Sequence, residues 1–241
     1  MDLNERQKTI LMAIIAEFMK TADEVGSSYL VEKYDFDFSP ATVRSEMVQL
    51  MEKGLLEQSH VSAGRVPTDQ AIRMYVQEKF GQDMMEAVDV IQIRQGLFKF
   101  RFDPEKLIKL ALSSLVDHAS CASFVLMEDM TRYYGVSSLM KYHELRNIEI
   151  VERVLDILED ENLLRKAFSK YDTDNVSFII GSESGIRDME NCAIVFTKVP
   201  FWGEKYGHMG LIGSRRMDYG KAVNVLTTVR DSLKESLKGW K

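Results

Sequence analysis

The densest run of residues whose types and spacing suit a shared chemistry lies between Ser39 and Arg65. Ser39 is a helix-capping residue and Pro40 fits the first helical position, where its missing N–H costs nothing. Gly54 then closes the predicted helix. Val43, Met47 and Leu50 share one face of it. Ala41, Thr42, Arg44, Ser45, Val48, Gln49 and Glu52 fall largely on the other. An exposed helix of this kind can enter a DNA major groove with its N-terminal residues nearest the base edges. Arg44 can then hold guanine O6 and N7 with two hydrogen bonds, and Gln49 can do the same to adenine. Thr42 and Ser45 suit a phosphate or a base edge. Ser39 and Ala41 flank the helix N-terminus, whose free N–H groups and dipole favour an anion. Downstream, Leu55 to His60 reads as a strand, Ser62-Ala63-Gly64 as a tight turn and Arg65-Val66 as the returning strand, ended by Pro67. Arg65 is placed to reach a nucleic-acid backbone or minor groove, with His60 and Ser62 beside it. Lys8, Arg73 and Lys79 add phosphate contacts if they share that face. The plainer alternative is a small helical domain with ordinary solvated side chains.

The elements that must position these residues are legible on either side. A first helix is expected over Glu5–Lys20, capped by Asn4, with Gln7 completing a capping box. Its apolar stripe is Leu11, Ile14, Ile15 and Phe18. A second helix spans Ser27–Tyr34, and Thr68 or Asp69 starts a further one carrying Ile72, Tyr75 and Val76. Three short helices followed by a hairpin, within eighty residues, is the order of a winged helix-turn-helix. Beyond Gly81 a helix near Met84–Phe98 leads to a second cap-plus-proline start at Asp103-Pro104 and a helix through Leu115. Cys121–Met127 reads as a strand. Val151, Val154, Leu155 and Leu158 mark an amphipathic helix, with a shorter one near Leu163–Phe168. Strands are expected at Val176–Ile180, Cys192–Val199 and His208–Ile212. A last helix, capped by Asp218, presents Ala222, Leu226, Val229, Leu233 and Leu237 on one face. The class is α+β, with domains at residues 1–80 and 81–241.

Composition bounds the partners. The 241 residues are 45% hydrophobic and 28% charged, with a net charge of −6. Residues 1–80 hold 9 Lys+Arg against 13 Asp+Glu, so any DNA contact must come from a local basic face on an acidic background. No apolar run approaches the roughly 18 residues of a membrane span, and the charged N-terminus does not read as a signal peptide. Cys121 and Cys192 are far apart, which fits reduced, buried thiols in a cytoplasmic protein. His60, His118, His143 and His208 show no metal-ligand spacing. Gly181–Gly185 has Glu183 where a nucleophile elbow needs serine, so a loop is expected. No phosphate loop is present, and Arg215-Arg216 reads as solvated, as an anion contact or as packing for the last helix. No catalytic residue, metal or cofactor is expected, and the chain does not read as an enzyme.

The blocks "LNERQKTILMAII", "VGSSYL", "SPATVRSEMVQLMEKGLLEQSHVSAGRVPTD" and "RMYV" resemble the N-terminal signature of the HrcA family of heat-inducible transcription repressors. Toward the other end "YYGVSSLM", "SFIIGSESG", "MENCAIVFTKV" and "YGHMGLIGSRRMDYGKAV" resemble that family's C-terminal domain. The resemblance implies a winged helix followed by a GAF-like domain, acting as a homodimer on an inverted-repeat operator in double-stranded DNA upstream of chaperone genes. It also implies activity lost on heat stress and sustained by a chaperonin. Two departures stand out. Usual members are longer, with the missing length falling between Leu126 and Tyr133, where most of an inserted dimerisation domain belongs; that domain is expected to be reduced or absent. Ser214 also stands where the family more often has proline. Two other readings stay open: a regulator whose C-terminal domain senses a small molecule, and a protein-interaction module that has lost DNA binding.

Overall fold

The computed structural model describes residues 2–60, 63–79, 85–128, 130–171, 175–202 and 205–238. The chain divides into two compact units, Met1–Lys79 and Phe80–Lys241. Among the described residues no helix is long and apolar enough to cross a membrane.

The first unit contains α1 (Glu5–Thr21), α2 (Ser27–Tyr34), α3 (Pro40–Glu52), a two-stranded ribbon of β1 (Leu56–Glu57) and β2 (Val66–Pro67), and α4 (Asp69–Lys79). The helix starts follow from side-chain caps. Asn4 accepts from the Gln7 backbone N–H at 2.8 Å, and Ser39 from that of Thr42 at 3.2 Å. The expected reciprocal half of the Asn4 cap does not form. The Gln7 side chain is buried and donates instead to Glu46 and Gln49 on α3, because burial makes a partner on the packed helix obligatory. Ile10, Leu11, Ile14 and Ile15 of α1 close over Val43, Met47 and Leu50 of α3 in one core. Between α2 and α3 the rings of Tyr34, Phe36 and Phe38 stack in series, with centroids 5.7 and 4.9 Å apart, and so fix the approach to α3.

The ribbon is shorter than its sequence suggests. Among the described residues only Leu56↔Pro67 and Glu57↔Val66 pair, and the returning strand ends at Pro67 as expected. Arg65 bridges to Val25 instead, each backbone N–H donating to the other's carbonyl at 2.9 Å. That bridge draws the ribbon against the turn between α1 and α2. It also explains Gly64, where a Cβ would stand 2.8 Å from the Val25 nitrogen and 2.9 Å from Glu24.

The second unit is a mixed α/β layer structure consistent with a GAF-like fold. It contains α5 (Ala87–Lys99), α6 (Pro104–Ala119), β3 (Ala122–Leu126), β4 (Thr131–Tyr134), α7 (Ile148–Glu159), α8 (Glu161–Phe168), β5 (Ser177–Ile180), β6 (Cys192–Pro200), β7 (Tyr206–Ser214) and α9 (Tyr219–Ser236). The five strands form one antiparallel sheet in the order β4-β3-β7-β6-β5. Both faces of its central strands are covered, so they read as continuous apolar runs. Ala122, Phe124 and Leu126 of β3 and Cys192, Ile194 and Phe196 of β6 face α7 and α8, while α6 and α9 pack on the opposite side. Phe168 lies between Phe124 and Phe196, with centroids 5.8 and 3.9 Å away. Truncating a buried phenylalanine of this kind costs about 3–5 kcal/mol. On α7 the buried face is Ile150, Val154, Ile157 and Leu158, one step round from the expected stripe, with Val151 and Leu155 only half-buried. Gly181–Ser184 is a 3-10 turn rather than a nucleophile elbow.

Between Leu126 and Thr131, inside the stretch where missing length is expected from the resemblance, β3 and β4 pair antiparallel as neighbours. The Met127 N–H donates to the Met130 carbonyl at 2.9 Å. The Arg165 guanidinium, reaching from α8, donates to the Met127 and Glu128 carbonyls.

Candidate nucleic-acid interface

The α3 helix turns a continuous polar face to solvent. Val43, Glu46, Met47 and Leu50 are buried, whereas Ser39, Ala41, Arg44, Ser45, Val48 and Gln49 are exposed and Thr42 is half-buried. Packing against α1 sets this division, since the buried side must reach Ile10, Leu11 and Ile14. Glu46 enters that buried side because Gln7 donates to it at 3.1 Å and Arg6 approaches to 3.5 Å.

The exposed candidates differ in how free they are. Arg44 has no hydrogen bond or ion pair among the described residues. The Ser39 and Thr42 hydroxyls lie 3.1 Å apart at the helix start, where Ser39 occupies one of the unpaired N–H groups. Ser45 is exposed one residue beyond Arg44. Gln49 is half committed, because its carbonyl oxygen accepts from Gln7 at 2.9 Å and leaves only its amide N–H groups for a ligand. Lys53 extends the same chain of contacts, donating to Gln7 Oε1 at 3.1 Å.

The ribbon brings Arg65 to this face. Its guanidinium donates to the Ala63 and Gly64 carbonyls, and its Nε is buried without a partner among the described residues. Burial lowers the Arg65 pKa, and the nearby Arg44 charge lowers it further, with Glu24 opposing both. An arginine stays charged under such pressure, so Arg44 and Arg65 together leave a local positive field on this side of the unit. His60 is exposed, with Nδ1 2.8 Å from the Ser59 hydroxyl, which in turn donates to Glu24 at 2.5 Å. Ser62 lies outside the described residues, as does the Lys79 side chain. Lys8 is held by Glu78 of α4 at 3.0 Å, which raises its pKa and takes it from the proposed phosphate contacts.

Two charged clusters were not visible in the sequence. Glu17 is buried on α1 and accepts from Tyr29 (2.6 Å), Tyr34 (2.8 Å), Lys33 (2.5 Å) and Lys20 (2.9 Å). Burial alone raises its pKa, but these four donors outweigh that and hold the carboxyl well below the usual carboxylate range. The cluster clamps α2 to α1. In the second unit Arg216 grips Glu144 through Nε at 2.7 Å and Nη2 at 3.1 Å, and Ser214 donates to the same carboxylate at 2.5 Å. Arg216 therefore anchors the end of β7 to the 3-10 turn at residues 143–145. Ser214, where the resemblance leads one to expect proline, supplies the hydroxyl for this bond to Glu144.

The second unit also bears a half-open cleft of about 720 Å³ beside the β3–β4 hairpin. Its wall includes Ile108, Leu112, Met127 and Tyr134, with Arg132 and Lys205 at the polar edge. Cys121 and Cys192 are buried, free thiols, each pushed up to about 12 by burial. Among the described residues no group of three or more His, Cys, Asp or Glu is arranged to hold a metal ion.

Taken together, these features define a two-unit α+β protein that displays an arginine-bearing helix and ribbon from its first unit. A family model described as the HrcA protein C-terminal domain matches residues 34–223. The "Heat-inducible transcription repressor HrcA" of Moorella thermoacetica is 24% identical over 340 aligned positions, covering 99% of each chain. The protein of the same name from Carboxydothermus hydrogenoformans is 26% identical, covering 97% of this chain and 98% of its own. A 2.2 Å crystal structure of a hypothetical protein shares the fold, with a TM-score of 0.78 at 20% identity over 98% of this chain and 99% of its own. The chain belongs to the HrcA family. An alignment of 340 positions against 241 residues leaves at least 99 positions of the Moorella comparison with no residue of this chain.

Proposed function

We propose that this chain is a heat-inducible transcription repressor that binds an inverted-repeat operator in double-stranded DNA as a homodimer, upstream of chaperone genes. Residues 1–80 act as a winged helix-turn-helix, with α3 as the recognition helix and the β1–β2 ribbon as the wing. Residues 81–241 act as the GAF-like regulatory and dimerisation domain. The protein is cytoplasmic and not an enzyme. Heat removes its activity, and a chaperonin sustains the folded form.

The observation that carries this reading is the exposed polar face of α3, where Arg44 stands without an ion pair among the described residues and half-buried Arg65 of the ribbon lies near enough to feel its charge, in a unit that is otherwise acidic. A local positive field of this kind favours a phosphate or a guanine edge, both of which accept two hydrogen bonds from one arginine. Small polar residues surround Arg44 and leave room for a groove wall. The decisive experiment is selection of bound fragments from a random duplex pool by the full chain. A recovered two-fold symmetric sequence supports the reading; a pool that never departs from its starting composition overturns it.

A second reading, control of DNA affinity by a small molecule, draws its support from the cleft beside the β3–β4 hairpin. Its volume falls in the usual range for ligand sites. Thermal-shift screening against metabolites tests it: a stabilising compound that also shifts DNA affinity supports it, and an absence of hits removes it.

A further inference from the structure

The α5 helix carries an apolar stripe that stands open to solvent among the described residues. Ile93 and Leu97 turn inward, where α5 packs against α6 and α9. On the opposite side Val88, Ile91 and Phe98 are 63%, 52% and 54% exposed, and Phe102, just past the helix end, is 66% exposed. With exposed Gln95 between them, positions 88, 91, 95 and 98 of α5 alternate steps of three and four, and Phe102 follows in the turn just beyond the helix end. That is the spacing of a helix–helix seam rather than of a solvated face. The Arg101 guanidinium lies 4.0 Å from the Phe98 ring centre and 4.3 Å from that of Phe102, holding the two rings in place at one end of the stripe.

We infer that this stripe is a homodimer seam, in which α5 of one chain packs antiparallel against α5 of a second copy about a two-fold axis at Gln95. The stripe is self-complementary in that arrangement. Counting outward from Gln95, Val88 and Phe102 lie seven positions to either side and Ile91 and Phe98 four and three, so a smaller side chain lies across from a larger one in both flanking layers. Gln95 meets itself, and an amide with one acceptor and two donors satisfies its own copy. Charge agrees. The N-terminal end of α5 carries Glu86 and Asp89 and its C-terminal end Lys99 and Arg101, so the antiparallel sense sets acidic ends level with basic ends and opposes the two helix dipoles. A parallel sense instead gathers four cations at one end and stacks Phe on Phe.

The area suffices. Taking roughly 100–150 Å² for the exposed part of each large side chain, the two copies together cover on the order of 1,000 Å², the lower bound for a specific interface. A reason for such a seam is also present. The chain lacks at least 99 positions of a longer relative, and β3 and β4 follow each other directly where the resemblance implies an inserted dimerisation domain. The inference takes up the dimer of the proposed function and gives it a surface. It is tested without DNA, so that its failure leaves the DNA reading standing.

The full chain is followed by sedimentation velocity from low to tens of micromolar. A dimer is expected, and Ile91→Glu or Phe98→Glu is expected to weaken it at least ~30-fold, as loss of a central contact present twice in the interface does. Both residues are exposed, so the far-UV circular dichroism spectrum should match the parent and separate lost association from lost folding. Cysteine pairing reads the geometry, since Cys121 and Cys192 are buried and stay silent. Gln95→Cys is expected to form a disulfide dimer on mild oxidation. Val88→Cys should link only when mixed with Phe102→Cys. A monomeric parent at every concentration, glutamate variants that dimerise as the parent does, or Val88→Cys linking efficiently to itself each overturns the proposal.

Discussion

Replacing Arg44 by alanine separates the roles open to an exposed guanidinium. Arg44 has no partner among the described residues and lies on the solvent face of α3, so its removal should leave folding stability within about 0.5 kcal/mol of the parent. It also relieves Arg65 of a neighbouring like charge. Operator binding should respond quite differently. A lost two-bond contact to a guanine edge costs about 1–3 kcal/mol, or ~5- to 150-fold in Kd, on the operator alone. A lost phosphate contact weakens all duplexes similarly and lowers the salt slope by about one. Fluorescence anisotropy with the operator and with a scrambled duplex, each at several salt concentrations, distinguishes the two. Arg44→Lys is the informative companion, because it keeps the charge and loses the planar fork. Base reading predicts an alanine variant impaired only on the operator and a lysine variant that does not recover it. Equal operator affinity for Arg44→Ala and the parent refutes the placement of this helix against DNA.

Glu17→Ala should destabilise the first unit by about 2–3 kcal/mol in urea melts, since it strands two tyrosine hydroxyls and two lysines, the lysines being solvated enough to soften the loss. The folded Glu17 carboxyl lies below its unfolded value, so its contribution is fully present above the ordinary carboxylate range and fades as pH falls through the folded value. The parent should therefore lose stability on acidification faster than Glu17→Ala in paired melts. Gly64→Ala should push the ribbon from Val25, costing about 1–3 kcal/mol in stability and weakening DNA binding beyond the effect of unfolding. Glu144→Gln should lower Tm of the second unit, and adding Arg216→Met should restore part of it, with a coupling of about 0.5–3 kcal/mol by double-mutant cycle.

Elements announced by local chemistry are legible in the residues themselves. Asn4, Ser39-Pro40, Asp103-Pro104 and Asp218 each cap a helix where the sequence places one. The strands β3, β5, β6 and β7 follow from their apolar runs. The strand β4 escapes because Thr-Arg-Tyr-Tyr at a sheet edge has three exposed residues and no alternation. Whatever depends on distant partners is not legible in this way. Gln7 looks like half of a capping box, yet its amide serves Glu46, 39 residues away. Glu144 and Arg216 are 72 residues apart and neither belongs to a local motif. In the candidate interface, residue type and helical face place Arg44 and Ser45 in solvent. Nothing in the spacing shows that Gln49 is half occupied by Gln7 or that Lys8 is bound to Glu78. The exposed seam on α5 is hidden for a related reason. Val88, Ile91 and Phe98 look like core residues until the opposite face, Ile93 and Leu97, is seen to be the buried one.

The most direct test of DNA recognition through α3 and the ribbon is an equilibrium titration of the purified full chain against its selected duplex and random competitor, repeated across ionic strength. Preferential retention of the selected duplex is expected, with log affinity falling linearly as log salt rises because lysine and arginine contacts release counterions. Retention of no duplex above random competitor, even at low ionic strength, contradicts the account.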